Sequence, residues 1–381
     1  EMNDDIHFHK YIIKKSLCIG KPHRKLEKKN KFKFFIIIPC YDEYDYLFKT
    51  LDSINNQKLK LLEKTLVVIV INNSVDTNAR VKKNNQKTYN KLIKLQFSFE
   101  FVAIDCFSNC NSLENKLAGV GLARKVGLDF SLKFIENLNS IICSLDADTI
   151  VNEHYLDIID NRFKHNIVNA AVVNFSHQKS SNTIIEQGIR KYETILKEIA
   201  NNIQKTGSPY GYVSMGSTIV CNAKTYIAVG GMNTKKATED FYFLQSIAKY
   251  TEVHKIERVL VYPSSRSENR VYLGTGFRMD EYLKNKNFKN LNFSKESYLE
   301  IKKIIDIIDL YWSDSTEVLL QKLMNDLNNK SVEFIKKKNI SKVLKNFKTN
   351  AKNKNQFILL FNQWFDALTI MKFLKFQKQV N

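Results

Sequence analysis

The sequence predicts an α/β fold in which helices flank a central sheet and the last part of the chain is helical. Apolar runs typical of strands buried on both faces occur at residues 34–39, 66–71, 99–104 and 141–145. Stretches with helical spacing of apolar residues alternate with these runs, which is the order expected of a doubly wound sheet. From residue 282 onward only helical patterns occur, with many Lys and Asn residues.

In the first half, each predicted strand ends at a residue that interrupts the apolar run. Pro39 ends the first strand, and residues 45–55 follow with Leu47, Leu51 and Ile54 at helical spacing. The second strand ends at the turn formers Asn72, Asn73 and Ser74. The third strand ends at Asp105, a helix is predicted over 121–134, and the fourth strand follows.

The second half contains longer helices and fewer strands. Gly230-Gly231 ends one predicted helix there. The remaining elements are predicted as strands over 169–175, 216–220 and 258–262 and as helices over 183–204 and 239–250.

The net charge of +20 is concentrated near the two ends of the chain. Residues 10–33 carry a net charge of +9 and residues 336–381 a net charge of +10, so the middle is close to neutral. Such lysines suit an anionic membrane surface, although a lysine-rich composition alone also explains them. Aromatic residues are not interleaved with the lysines as in RNA-binding modules, so no nucleic acid is expected.

The six cysteines show no CxxC pair, and Cys106 and Cys110 have neither a second pair nor a neighbouring His, so a zinc site is not predicted. The N-terminal segment has no apolar signal region, and residues 357–376 contain polar positions typical of an amphipathic helix. We therefore expect a cytoplasmic protein, with peripheral contact at the inner face of the membrane left open.

Polar residues follow every apolar strand of the first half. In open α/β sheets, ligands bind beyond the carboxyl ends of the strands. One acid after a strand is ordinary, but several polar groups at one edge predict a site. These candidate residues are Tyr41, Glu43, Asn72, Asn73, Asp105, Asp146 and Asp148.

Asp146 and Asp148 are the most specific of these residues. Two carboxylates one residue apart, after the buried strand 141–145, can bind Mg²⁺ or Mn²⁺ that also takes phosphate oxygens. Such an ion would neutralise a diphosphate leaving group.

The order of these motifs resembles the family 2 glycosyltransferases over residues 32–278. The resemblance implies a GT-A fold with a mixed sheet, a nucleotide-sugar donor with a UDP-sugar favoured, a divalent metal and inversion at the anomeric carbon. The acceptor itself is not identified by any motif, and a cell-surface glycan or a lipid-linked precursor is expected. The matching positions are Pro39, Tyr41 and Glu43, then Asn72, Asn73 and Asp76, then Asp146-Ala147-Asp148, then Gly230-Gly231, and finally Glu239-Asp240.

Asp240 is the predicted catalytic base, and Glu239 is the second candidate. The resemblance gives this acid the role of base toward the acceptor hydroxyl, and a carboxylate at a helix start can serve chemically. Acids also stabilise the first turn of a helix, which is the simpler reading of the pair. Their position behind Gly230-Gly231 and downstream of Asp146 favours the catalytic role.

The sequence departs from the family at some positions. Asn72 stands where family members often carry an acid, so recognition of the nucleobase would rely on Asp105. The Q-x-x-R-W motif and the membrane helices of processive members do not occur in the sequence, which predicts a non-processive enzyme.

Basic residues near the predicted site are candidates for binding the diphosphate. Arg124 is expected to contact a phosphate or the nucleobase. It stands where a dinucleotide-binding loop would carry its third glycine, so such a loop is not predicted. Arg266 and Arg270 belong either to a segment that pairs with the diphosphate or to an ordinary surface loop. His177 either lines the acceptor pocket or is structural.

Three alternatives remain beside a glycosyltransferase. A sugar nucleotidyltransferase would carry a basic, Gly-rich loop after the first strand, where this chain has acidic residues at 42 and 43. A membrane- or nucleic-acid-binding module without catalysis would use the basic ends of the chain. A degenerate, non-catalytic transferase would lack the carboxylates of the two acidic motifs, which are present in this chain. The predicted domains are a basic extension (1–31), a GT-A domain (32–278) and a helical basic region (279–381).

Overall fold

In the part of the chain that the structure describes, one mixed sheet of nine strands forms the centre of the fold. The structure is a computed structural model that describes residues 2–27, 31–165, 167–267, 274–288 and 291–378. Helices flank the sheet and make up the C-terminal part of the chain. The predicted α/β class with a helical C-terminal region is therefore confirmed.

The sheet joins a parallel part to an antiparallel part. Its order is β1-β4-β3-β2-β5-β8-β7-β9-β6, in which β4, β3, β2 and β5 are mutually parallel and β8 runs antiparallel to both β5 and β7. The strands are β1 (Lys21–Pro22), β2 (Phe34–Cys40), β3 (Thr65–Asn72), β4 (Glu100–Cys106), β5 (Ile141–Ser144), β6 (Ile150–Val151), β7 (Ala170–Phe175), β8 (Ile219–Asn222) and β9 (His254–Tyr262).

The parallel strands bring their carboxyl ends to one edge of the sheet. All residues of β2 and β3 are buried, as their continuous apolar sequences predict. Cys40 pairs in register with Ile71, and Asn72 pairs with Cys106. The residues that follow these strands therefore leave the sheet side by side.

The chain divides into two compact units. The α/β unit comprises residues up to 190 and 214–286, and the helical unit comprises residues 191–213 and 287 onward. The helices of the α/β unit are α1 (Met2–Lys14), α2 (Leu47–Asn55), α3 (Leu59–Leu62), α4 (Ala79–Leu92), α5 (Val120–Ser131), α6 (Tyr155–Phe163), the first part of α7 (Thr183–Lys205), α8 (Ala223–Ala228), α9 (Glu239–Tyr250) and α10 (Thr275–Asn285).

Within its described residues, the helical unit contains the rest of α7 and six further helices. Side-chain oxygens of Ser294, Ser315, Asn328 and Asn353 each accept a hydrogen bond from a backbone N–H of the first turn, which defines where four of these helices begin. The helices are α11 (Lys295–Leu310), α12 (Thr316–Asp326), α13 (Asn329–Lys337), α14 (Ile340–Asn350), α15 (Lys354–Trp364) and α16 (Ala367–Lys378).

The unit boundaries differ from the sequence-based domains in two places. Residues 191–213 belong to the helical unit, because Tyr192 packs on Phe288 and the Tyr210 hydroxyl bonds the carbonyl of Asn362. Helix α10 belongs to the α/β unit, where a Cβ on Gly188 would lie 2.5 Å from the ring of Tyr282.

Two local predictions also differ from the structure. The segment predicted as a strand over 216–220 begins as a 3₁₀ turn (Gly216–Thr218), and the strand β8 follows it. The segment predicted as a basic extension over 1–31 contains α1 and β1, and β1 pairs with β4.

The aromatic side of the C-terminal segment is buried inside the helical unit. Phe357, Phe361 and Phe365 are each at most 2% exposed, and the Phe347 ring packs edge-on against Phe357. In the described part of the chain, no single helix has the length and apolar character needed to cross a bilayer. Among the described helices, α15 and α16 taken together are the one pair with that length and apolar character, and they are bent by 60° where they meet.

Candidate active site

Asp146 and Asp148 lie directly after β5, at the edge where the parallel strands end. The backbone N–H of Thr149 bonds the carbonyl of Asp146 at 3.1 Å, which closes a tight turn. The Thr50 hydroxyl donates to the carbonyl of Ala147 at 2.8 Å and fixes the turn to α2. The two carboxylates are thus presented from a braced turn.

Arg124 connects the turn after β5 to the start of α9. Its Nη1 donates to the Ser144 hydroxyl at 2.6 Å, its Nε donates to Oε1 of Glu239 at 3.2 Å, and its Nη2 pairs with Asp146. The side chain is only 3% exposed. Burial lowers the pKa of Arg124, but Asp146 and Glu239 more than offset it, so the pKa is raised and the group stays charged.

Glycines allow the backbone to approach this guanidinium. A Cβ on Gly216 would lie 2.1 Å from Nη2 of Arg124. A Cβ on Gly121 would lie 2.3 Å from the carbonyl of Lys235, in the loop before α9. Larger residues at these positions would separate the elements that Arg124 joins.

Ser217 holds the second oxygen of Asp146. Its hydroxyl donates to Oδ2 of Asp146 at 2.6 Å and accepts from the backbone N–H of Asp146 at 3.1 Å. Sequence reasoning missed Ser144, Ser217 and the bridging role of Arg124. The signal in the sequence was the adjacent pair Arg124-Lys125 among the small and apolar residues that begin α5.

Asp148 lies in a second charged cluster with Arg266 and Glu43. The Nη2 atom of Arg266 lies 2.9 Å from Oδ2 of Asp148 and 2.5 Å from Oε1 of Glu43. The guanidinium also stacks over the ring of Tyr46, 4.2 Å from its centroid. Burial raises the pKa of Asp148, Arg266 opposes that shift, and Asp146 adds to it.

Glu239 and Asp240 open α9 after a loop with unusual backbone angles. Gly230 and Gly231 have φ values of 82° and 79°, and Thr238 has a φ of 62°. Such angles favour glycine, and they cost free energy at a threonine. The Asn233 amide donates to the carbonyl of Glu239 at 2.9 Å and braces the loop from within.

The two acids differ in exposure and in partners. Glu239 is 4% exposed and is held by Arg124, whereas Asp240 is half-buried. Burial raises the pKa of Glu239 to about 7, with Arg124 opposing and Asp240 adding to the shift. Burial also raises the pKa of Asp240, again against the effect of Arg124. Asp240 is therefore the more accessible carboxylate and a stronger base than an ordinary aspartate.

The residues predicted to bind the nucleotide, Asn72, Asn73 and Asp105, form hydrogen bonds near the strand ends. The Asn72 amide donates to the carbonyl of Cys40 at 3.2 Å, and the Asn73 amide to that of Phe107 at 3.1 Å. Both oxygens of Asp105 accept from its own loop, including the Ser108 hydroxyl at 2.6 Å. Burial raises the pKa of Asp105, but these hydrogen bonds outweigh it and lower the pKa. Their roles in binding a nucleotide remain predictions.

The remaining predicted residues are dispersed around the site. Pro39 is buried within β2, and Tyr41 is half-buried just after it. The His177 side chain is buried, with Nε2 at 3.3 Å from the hydroxyl of Thr275, and its ring packs edge-on against Phe175. Arg270 lies outside the described residues.

The two aspartates fit a divalent ion that is shared with a ligand. Among the residues that the structure describes, no group of three or more His, Cys, Asp or Glu side chains is placed to hold a metal. Mg²⁺ and similar ions are commonly bound by one or two carboxylates, with phosphate oxygens and waters completing the shell. Each carboxylate oxygen has two lone pairs, so Asp146 and Asp148 retain capacity beside their present partners.

Comparisons with known proteins give structural neighbours alone. No protein family and no curated protein matches the sequence. The structure is similar to S. aureus TarS 1-349 in complex with UDP-GlcNAc, at 13% identity and a TM-score of 0.44, over 87% of this chain and 91% of that chain. It is also similar to the mannosyltransferase PcManGT from Pyrobaculum calidifontis in complex with GDP-Man and Mn²⁺, at 13% identity and a TM-score of 0.40, over 94% of each chain. These TM-scores are below 0.5, so the similarity carries no argument about the function of this chain.

Proposed function

We propose that this chain is a metal-dependent, inverting, non-processive glycosyltransferase of the GT-A type that resembles family 2. It takes a sugar from a nucleotide-sugar donor, with a UDP-sugar favoured, and transfers it to a glycan or lipid-linked acceptor. The observation that carries the proposal is the bridge from Asp146 through Arg124 to Glu239. This bridge links the two aspartates that could bind a metal ion and a diphosphate to the pair Glu239-Asp240, which could supply the catalytic base.

Asp146 and Asp148 are the residues that would hold the divalent ion. A bound Mn²⁺ or Mg²⁺ would neutralise charge on the departing nucleoside diphosphate. Ser217 and Arg124 hold the two oxygens of Asp146 in place, and such supporting contacts orient metal ligands.

Arg266 is the side chain best placed to bind the diphosphate. Its guanidinium pairs with Asp148 and stacks on Tyr46, so it lies beside the carboxylates that would hold the ion. A diphosphate offers the same paired oxygens as a carboxylate, and guanidinium groups bind both through parallel hydrogen bonds.

Asp240 would remove the proton from the acceptor hydroxyl as its oxygen attacks the anomeric carbon. The new C–O bond forms as the bond to the diphosphate breaks on the opposite face, which inverts the configuration. Glu239 remains paired with Arg124 and fixes the first turn of α9. Asp240 is half-buried beside it, where it can contact an acceptor.

The experiment that tests this proposal is a panel of nucleotide sugars. Release of the nucleoside diphosphate from UDP-, GDP- and dTDP-sugars would be followed with Mn²⁺ present and again with EDTA. We expect Mn²⁺-dependent turnover of at least one donor, and Asp148→Asn should remove it. If the protein instead releases pyrophosphate from a nucleoside triphosphate and a sugar phosphate, it is a nucleotidyltransferase and the proposal is wrong.

We also propose peripheral contact with an anionic membrane, where lipid-linked acceptors reside. Exposed Lys336, Lys342 and Lys345 surround a cleft of about 470 Å³ between α13 and α14. Each lysine near an anionic surface contributes on the order of 1 kcal/mol to binding. Because the aromatic side of α15 is buried inside the helical unit, this contact would rest on charge and not on apolar insertion.

A further inference from the structure

Asp129 on α5 is a fully buried carboxylate with four hydrogen-bond donors. Its Oδ1 accepts from the hydroxyls of Tyr11 and Tyr226, each at 2.7 Å. Its Oδ2 accepts from the backbone N–H of Leu17 at 2.8 Å and pairs with Nζ of Lys125 at 3.0 Å. Two of these donors come from α1 and the residues just after it, so this cluster holds the first helix of the chain.

Tyr11 contacts the same stretch of α5 that carries Arg124. Nζ of Lys125, the residue after Arg124, donates to the Tyr11 hydroxyl at 2.9 Å. The hydroxyl in turn donates to Asp129, one helical turn further along α5. Burial and the charge of Asp129 raise the pKa of Tyr11, so its hydroxyl keeps its proton and remains a donor.

Tyr11 also contacts the turn that leads to the proposed catalytic base. A Cβ on Gly231 would lie 2.0 Å from the Tyr11 hydroxyl oxygen, so the backbone of this turn packs directly on that oxygen. Gly231 begins the loop to Glu239 and Asp240. The Tyr226 ring packs edge-on against Tyr11 and also against Phe243 of α9. These contacts connect Tyr11 to the helix whose first turn carries the proposed base.

We propose that Tyr11 is a positioning residue: through Lys125 and Gly231, helix α1 fixes α5 and the loop before α9, and so fixes Arg124 and Asp240 relative to each other. This inference rests on the proposed function. Without the Tyr11 hydroxyl, buried Lys125 loses one of its hydrogen-bond acceptors. The backbone at Gly231 also loses the oxygen atom against which it packs. Small displacements of a reacting group lower the rate much more than they lower binding.

The test is Tyr11→Phe, with Tyr210→Phe as the matched control. Tyr210 is also a buried tyrosine, and its hydroxyl donates to the carbonyl of Asn362 within the helical unit. We expect Tyr11→Phe to lower kcat for donor turnover about 10- to 100-fold, with KM for the donor within about twofold of the original value. Tyr210→Phe should lower the melting temperature and leave kcat unchanged.

Hydrogen exchange gives a readout that does not depend on activity. In Tyr11→Phe, backbone amides of residues 232–241 should exchange faster, while those of β3 stay protected. An unchanged kcat, an unchanged exchange rate in this loop, or an equal loss of kcat in Tyr210→Phe would overturn the inference. If the original protein turns over no nucleotide sugar, the proposed function fails, and the exchange experiment still decides whether Tyr11 orders the loop.

A folding defect in Tyr11→Phe would not remove the test. In the unaltered protein, hydrogen exchange in a series of low urea concentrations should show α1 and residues 232–241 losing protection together, before the strands of the sheet. Loss of protection of α1 with full retention in the loop would contradict the inference.

Discussion

Arg124 lies between two acids from distant parts of the chain: its Nε donates to Oε1 of Glu239 across 3.2 Å, and its Nη2 pairs with Asp146. The guanidinium is buried, so water does not screen these pairs effectively. The position of each acid therefore depends on the same cation.

Replacement of Arg124 by Met should be strongly destabilising. It leaves the buried Glu239 without its cation and Asp146 without one of its two side-chain partners, and breaking a buried ion pair costs about 3–5 kcal/mol in the free energy of unfolding. Chemical denaturation measures this cost. Lys302→Met is the control, because Lys302 and its partner Asp306 are both exposed and their pair should contribute about 0–1 kcal/mol. Equal losses of stability in the two variants would contradict the bridging role of Arg124.

Replacement of Asp240 by Asn should stop sugar transfer and leave donor binding nearly intact. A positioned base contributes about 10²–10⁴-fold to the rate, and it acts mainly in the transition state. Single-turnover kinetics and calorimetry of donor binding separate the two effects. Asp157→Asn, at a surface pair with Lys58, should behave like the original protein. Normal turnover by Asp240→Asn would move the role of base to Glu239.

The transfer rate should increase with pH and level off once Glu239 and Asp240 have both lost their protons. Burial raises the pKa of Glu239 to about 7 and also raises the pKa of Asp240, so both acids keep protons at pH values where exposed acids have lost them. Below about pH 7, Glu239 is mostly protonated and its pair with Arg124 is not charged on both sides. A protonated Asp240 cannot accept the proton of the acceptor hydroxyl. A pH profile of kcat at saturating donor tests this, and a flat profile between pH 5 and pH 8 would exclude it.

The same raised pKa has a consequence for stability. Between the ordinary pKa of 4.5 and about 7, the folded state holds a proton on Glu239 that the unfolded state has lost. The contribution of this group to the free energy of unfolding therefore decreases as pH rises through that window. Glu239→Gln should remove this part of the pH dependence.

Binding to anionic vesicles should depend on the three lysines around the cleft of the helical unit. We expect co-sedimentation with vesicles of phosphatidylglycerol and phosphatidylcholine at low salt, and its loss as NaCl rises, because screening acts over about 8–10 Å at physiological ionic strength. Changing Lys336, Lys342 and Lys345 together to Glu should abolish it.

A charge-matched control for the vesicle experiment lies in the α/β unit. Changing the exposed Lys60, Lys64 and Lys94 to Glu alters the net charge by the same amount. This variant should still bind the vesicles. If both variants bind equally, or if the original protein remains in the supernatant at low salt, the proposed membrane contact is wrong.

The sheet and most helices could be predicted from the sequence because their patterns are local. The continuous apolar runs of β2 and β3 lie in the strands they predict, and α9 (Glu239–Tyr250) has the predicted bounds. Helix α1 was missed because its lysines and acids concealed a buried face. Tyr11 on that face is buried through contacts with Asp129, Tyr226 and Gly231, which lie far along the chain.

The acids of the candidate site could be predicted where they follow a buried strand or a glycine turn. Asp146 and Asp148 were identified because a buried strand precedes them, and Asp240 because a glycine turn does. The bridge from Arg124 to Glu239 depends on contacts between α5 and the loop before α9, which no local pattern encodes. Asp105 also follows a strand, but polar groups of its own loop donate hydrogen bonds to both of its carboxylate oxygens, which the strand pattern does not predict.

Calorimetric titration of UDP and GDP into the protein tests the central proposal most directly. With Mn²⁺ present, we expect saturable binding of at least one nucleoside diphosphate, and we expect EDTA or Asp148→Asn to abolish it, because Asp148 would share the ion with the diphosphate. Asp157→Asn should bind as the original protein does. Binding of undiminished strength in EDTA, or in Asp148→Asn, would contradict a metal-dependent nucleotide-sugar site at the end of β5.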